Sequence, residues 1–149
     1  KTVQLEGEWR LHSDTGPQFE AKLRAERGEF TLQSDEPSFL GGGGSAPNPV
    51  QYCIYGAISC YAATFAKWAA MEGVVLKSLR VKAVAEMDMT RSFGISQNPV
   101  IGSLRWEVTI STDADDEKIG YIKKIAEERC PAYFCLANPI IPVVTISRE

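Results

Sequence analysis

Residues 50–66 carry no charged side chain, and this run constrains the fold more than any other feature of the chain. It follows Asn48-Pro49, an N-capping residue and then a proline whose fixed φ suits the first helical position. The helical pattern continues to about Met71 and meets a glycine stop at Glu72-Gly73. Roughly 23 residues at 1.5 Å each make a rod of about 35 Å. With so little charge, this helix is expected to be buried nearly all round, at the centre of the core or of a subunit interface. It is a poor membrane span. Gln51, Ser59, Thr64 and three tyrosines interrupt it, and the uncharged residues ahead of it include four consecutive glycines and three prolines.

Strand patterns flank this helix. Val3, Leu5, Trp9 and Leu11 alternate with polar residues over 2–11, and Phe19, Ala21 and Leu23 alternate with Glu20, Lys22 and Arg24. Phe30 and Leu32 share one face of 29–33. A period of two with one polar side predicts antiparallel strands packed on one face. Asp14-Thr15-Gly16-Pro17 and Arg27-Gly28 supply the turns. Beyond the helix, Leu79, Val81, Ala83, Ala85, Met87 and Met89 predict a long strand, 90–102 a loop, and Leu104, Trp106, Val108 and Ile110 another strand.

A second helix is expected over about 115–129, with Asp113, Asp115, Asp116 and Glu117 suiting its positive end. Ile119, Ile122, Ala126 and Cys130 form its apolar stripe, and Lys123 with Glu127 and Lys124 with Glu128 are outward i,i+4 pairs. Pro131 ends or kinks it. Residues 142–147 read as a closing strand. There is no internal repeat, and this order of elements gives a single α+β domain over 1–149.

Several functions are excluded. Sixteen Lys and Arg against nineteen Asp and Glu give a net charge of −3, without the basic excess of a nucleic-acid binder. The glycines at 41–44 are not followed by the GK[ST] of a phosphate-binding loop, so they mean mobility or close backbone approach instead. The four cysteines include no CxxC, and the one histidine, His12, lies far from them, so neither a zinc site nor a disulfide scaffold is expected. No cofactor is called for. No basic n-region precedes an apolar stretch, so a cytoplasmic protein without a signal peptide is expected.

The thiols remain as candidates for chemistry. Cys53 and Cys60 share nearly one helix face, but seven residues put their Cα atoms about 10 Å apart, beyond the ~4.4–6.8 Å of a disulfide. Cys60 can pair only with a distant thiol, and Cys130 and Cys135 are both candidates. The plain alternative is that these cysteines are small buried hydrophobes. Neither Cys60, in mid-helix, nor Cys130, at a helix C-terminal end, gains a stabilised thiolate from its own helix. A cation would have to come from elsewhere, and Arg10, Arg24 and Arg91 are available without being placed by the sequence. Trp9, Trp68 and Trp106 read as core or interface, and Met87 and Met89 as packing.

The glycine-rich loop, Asn48-Pro49, the apolar helix carrying Cys60, and a second helix ending Glu127-Glu128-Arg129-Cys130-Pro131 together resemble the OsmC/Ohr family of osmotically inducible and organic hydroperoxide resistance proteins. The resemblance covers most of the chain. It implies an intertwined homodimer with a strongly bent antiparallel sheet and two long central helices. It also implies that Cys60 is the peroxidatic residue, attacking an organic hydroperoxide, and that Cys130 resolves the sulfenic acid to a disulfide. A dithiol such as a lipoyl protein would then reduce it.

One departure bears on activity. Where the peroxidases carry a Glu after Asn-Pro, this chain has Val50, and the stretches that would supply the partner Arg offer Gln18 or Phe19, and Phe39 or Leu40. That leaves a second expectation: an OsmC-fold dimer whose more apolar site binds a small apolar ligand or does other thiol chemistry.

Overall fold

The computed structural model describes residues 2–11 and 16–148. His12, Asp14 and Thr15 lie outside the described residues. The chain divides into two compact units, Lys1–Tyr55 and Gly56–Glu149.

In the first unit β1 (Glu6–Trp9), β2 (Phe19–Ala25) and β3 (Gly28–Ser34) form an antiparallel sheet in the order β1-β2-β3. The register Ala25↔Gly28 makes β2–β3 a tight hairpin that turns through Glu26-Arg27, one residue earlier than Arg27-Gly28, with Gly28 already paired in β3. The first strand is shorter than its alternation suggests, since only Glu6 to Trp9 face β2.

The glycine loop is ordered by Asp35, which is 1% exposed. Its carboxylate accepts from the backbone N–H groups of Gly43 (3.1 Å) and Ser45 (2.8 Å) and from the Ser45 hydroxyl (2.7 Å). Glycine is needed here for close approach. A Cβ on Gly42 would stand 1.8 Å from the Glu36 carbonyl oxygen.

Helix α1 (Pro49–Met71) starts and stops where the sequence predicts. Its start is a reciprocal cap: the Gln51 N–H donates to Asn48 Oδ1 and the Asn48 N–H donates to Gln51 Oε1, both at 2.8 Å. The expectation of burial nearly all round is corrected. Only the stripe Ala57, Tyr61, Phe65 and Ala69 is buried, while Tyr55 and Met71 are exposed. One chain supplies neighbours for one side of the rod only.

In the second unit β4 (Ser78–Met87) and β5 (Ile101–Ser111) form a two-stranded antiparallel sheet. A bulge at Glu86/Met87 ends the pairing before Met89. The strands of one chain therefore divide between two sheets. Helix α2 (Asp116–Arg129) is capped by Asp115, which accepts from the Lys118 N–H at 2.8 Å. Lys123 and Glu127 pair at 2.6 Å on its outer side.

The core of this unit is Tyr61, Phe65, Ala69, Val74, Ile122, Ala126 and Cys130, with Trp68, Trp106 and Tyr133 packed around it. Trp9 is instead exposed in its own unit.

Two elements differ from expectation. After Arg129 the chain forms a further helix, α3 (Pro131–Ala137), where Pro131 alone predicts the end or a kink of the second helix. Residues 142–147 are not a strand, and Val143, Val144 and Ile146 are exposed. Their β-branched side chains favour a strand, but propensity without a neighbouring edge makes no ladder.

Candidate functional site

Pro131 organises the site. Its ring excludes Cys130 from the helical region, and Cys130 adopts φ −77°, ψ 118°. The break lets one residue end α2 and begin α3. The Cys130 N–H still donates to the Ala126 carbonyl at 2.9 Å, while its sulfur accepts from the Tyr133 N–H at 3.4 Å. The sequence reading placed this thiol at a helix C-terminus alone. The structure corrects that, because Cys130 is also the N-cap of α3.

The turn aims Cys130 at α1. Its Sγ lies 3.7 Å from Cys60 Sγ, although the two are 70 residues apart in sequence. Both thiols are free, Cys130 fully buried and Cys60 partly exposed. Cys53 and Cys135 are exposed and lie outside this contact. Of the two distant partners left open by spacing, Cys130 is the one in contact with Cys60.

Burial pushes the Cys60 thiol above its ordinary pKa, the nearby Ala132 backbone N–H pulls the other way, and the neighbouring Cys130 adds to the rise.

An aromatic shell stands beside the thiols. Tyr61 packs edge-on to Trp106 with ring centroids 5.4 Å apart, and Tyr133 meets Trp106 at 6.0 Å. Burial first, and then Glu127, push the Tyr61 hydroxyl up to about 12, so it stays a neutral donor. These rings and the aliphatic side chains of β5 and α2, with the charged Arg105, Lys123 and Glu127 also in the lining, bound a cavity of about 490 Å³.

The arginines that the sequence leaves available are engaged elsewhere. Arg10 pairs with Glu20, Arg24 with Glu29, and Arg91 donates to the Gln97 carbonyl. Sequence reasoning missed two other cations. Lys67 and Arg129 line a groove of about 500 Å³ together with Cys60, Ala63, Thr64, Trp68 and Pro131. A signal was present: Lys67 is two helical turns from Cys60 on its face, and Arg129 directly precedes Cys130. Among the described residues no group of three His, Cys, Asp or Glu is placed to hold a metal ion, and no helix is long and apolar enough to cross a membrane.

An α+β chain whose long helix sets one thiol against a second from a Cys-Pro turn defines a class of dithiol proteins. The sequence matches the OsmC-like protein family over residues 42–145, and the chain belongs to that family. It is similar in fold to an OsmC-like protein from Mycoplasma pneumoniae, with a TM-score of 0.66 at 15% identity, covering 93% of this chain and 89% of that one. It is also similar to an organic hydroperoxide resistance protein OsmC from Legionella pneumophila, with a TM-score of 0.62 at 15% identity, covering 93% and 92% of the two chains. An OsmC-like protein of unknown function from Vibrio cholerae gives a TM-score of 0.60 at 15% identity, covering 90% and 92%. No curated protein matches the sequence.

Proposed function

We propose that this protein is a cytoplasmic, homodimeric thiol peroxidase that reduces small organic hydroperoxides through Cys60 and Cys130. The observation that carries the reading is the 3.7 Å contact between the two sulfurs. In the first step the Cys60 thiolate attacks the terminal peroxide oxygen. The O–O bond breaks and an S–O bond forms. Sulfur loses two electrons, and the leaving alkoxide takes a proton to become an alcohol. The Cys130 sulfur then attacks Cys60, forming an S–S bond as the S–O bond breaks, and the oxygen leaves as water. An external dithiol, such as a lipoyl protein, returns two electrons and two protons.

No cofactor enters this cycle. With Val50 in place of a Glu, the Ala132 backbone N–H favours the thiolate, and the larger effect of burial opposes it. The reacting species is therefore the small thiolate fraction. The homodimer is supported by what one chain leaves uncovered: the outer faces of α1 and the apolar residues Ile140, Ile141, Val143, Val144 and Ile146, which are 73–92% exposed.

Consumption of cumene hydroperoxide by the protein with a dithiol reductant tests the reading. Turnover by the native protein and none by Cys60→Ser is the expected result. Equal, background-level consumption by both removes the peroxidase assignment.

A second reading, an OsmC-fold dimer that binds a small apolar ligand without turnover, is favoured by the aromatic-lined cavity of about 490 Å³ and by the raised Cys60 pKa. A co-purified apolar molecule in native mass spectrometry, with no peroxide turnover, would select it.

A further inference from the structure

Cys130 is held by the helix it begins. Its carbonyl accepts from the Phe134 N–H at 2.9 Å, and its sulfur accepts from the Tyr133 N–H at 3.4 Å. Where the sulfur points therefore follows where α3 lies. With seven residues, α3 is too short to persist on its own hydrogen bonds, so packing has to fix it. None of its residues is fully buried, and Ala132 and Tyr133 are the two that are half-buried. Phe134 and Leu136 are more than half exposed, and Ala132 offers only a methyl group. Tyr133 is thus the one large side chain of α3 that packs against the core of the second unit.

The seat of that ring is specific. Tyr133 meets Trp106 of β5 edge-on at 6.0 Å between centroids and Tyr61 of α1 at 6.3 Å. Tyr61 and Trp106 pack on each other as well, so three rings from three elements close into one cluster. Tyr61 directly follows Cys60 in the chain. The contact that places α3 therefore refers it to the helix that carries the other thiol. Beyond the area it buries, each aromatic pair shifts an equilibrium by roughly twofold to tenfold. The sulfurs stand 3.7 Å apart and bond at about 2.05 Å, so a drift of α3 by one or two ångströms separates a pair that closes from one that does not.

We infer that Tyr133 is the positioning residue of the thiol pair: its ring, seated on Tyr61 and Trp106, holds α3 so that the Cys130 sulfur stays within closing distance of Cys60. The inference rests on the reading that Cys130 resolves oxidised Cys60, and it names the step that depends on Tyr133. That step is closure of the disulfide. The first attack on peroxide belongs to Cys60, on α1, and does not draw on the placement of α3. The ring and not the hydroxyl supplies these contacts, so phenylalanine serves as well at this position.

The test uses the full chain carrying Cys53→Ser and Cys135→Ser, so that Cys60 and Cys130 are its only thiols. One equivalent of cumene hydroperoxide is added, and dimedone trapping at quenched times separates formation of the Cys60 sulfenic acid from closure of the disulfide. Tyr133→Ala should slow closure about tenfold, and Tyr133→Phe should leave it within about twofold. Both should leave the first step within about twofold, which a general loosening of the fold would not do. Tyr133→Leu keeps apolar bulk in the seat and should slow closure about threefold, so it reads the same effect where the alanine variant unsettles the core. A second readout needs no peroxide. Glutathione disulfide takes two electrons and two protons from the thiol pair and leaves as two glutathione thiols, and the equilibrium gives the effective concentration of one sulfur at the other. That concentration should fall about tenfold in Tyr133→Ala and stay native in Tyr133→Phe. Equal slowing of both steps, or native closure in the alanine and leucine variants, would overturn the inference. Peroxide turnover with a native effective concentration in Tyr133→Ala ends the positioning role and leaves the peroxidase reading intact. A tenfold fall in that concentration with no peroxide turnover by the native protein does the reverse.

Discussion

Cys130 Sγ sits 3.7 Å from Cys60 Sγ because Pro131 breaks the chain between α2 and α3 at the residue that carries the second sulfur. A disulfide needs the sulfurs at about 2.05 Å, a closure of less than 2 Å. The two residues are 70 positions apart, so the bond would close a long loop. The oxidised protein should therefore be more stable than the reduced one by on the order of 2–4 kcal/mol. Urea unfolding of the two forms checks this, with Cys130→Ser showing no difference.

Cys60 is raised above its ordinary pKa, mainly by burial, so the protonated thiol is the favoured folded form. Its alkylation rate should climb about tenfold per pH unit from neutrality and show no plateau below about pH 9. The sign for stability follows: the contribution from the protonated thiol is present below the unfolded pKa and is lost as pH rises through the folded one. Iodoacetamide kinetics with mapping to Cys60 read the first effect directly.

Much of this was legible in the sequence. Asn48-Pro49, the uncharged face and Gly73 defined α1, and alternation defined β2 to β5, because capping and periodicity are local properties. What was not legible depended on contacts. The 142–147 segment has strand residues but no partner edge in one chain. α3 was hidden behind Pro131, which reads equally well as the end of one helix or the first turn of the next. The distant cysteines could be proposed as partners, but only packing distinguishes Cys130 from Cys135. That Lys67 and Arg129 share a groove with Cys60 depends on how the helices pack, which residue spacing does not display.

Asp35 should control the glycine loop through its charge. Its three hydrogen bonds to Gly43 and Ser45 hold its carboxyl below the usual aspartate value. The ordering they provide is present above the ordinary pKa of about 4 and is lost as pH falls below it through the lowered one. Amide protection at Gly43 and Ser45 should fall over that range, and Asp35→Asn should weaken it at all pH values and flatten the dependence.

Ile122 is fully buried where α2 packs into the core of the second unit. Ile122→Ala should cost about 2–5 kcal/mol in unfolding free energy. Because the cavity it opens lies in the same cluster as Cys130, the variant should also loosen the thiol pair, read as faster alkylation of Cys130.

The peroxidase reading requires the partly exposed Cys60 and the buried Cys130 to act as one redox unit. One equivalent of cumene hydroperoxide, added to the reduced protein and followed by peptide mass mapping, addresses it most directly. A cross-linked pair of peptides containing Cys60 and Cys130, absent in Cys60→Ser, with Cys53 and Cys135 still free, is the expected result. Unmodified Cys60 and Cys130 after that treatment, or a cross-link formed by other cysteines, would contradict it.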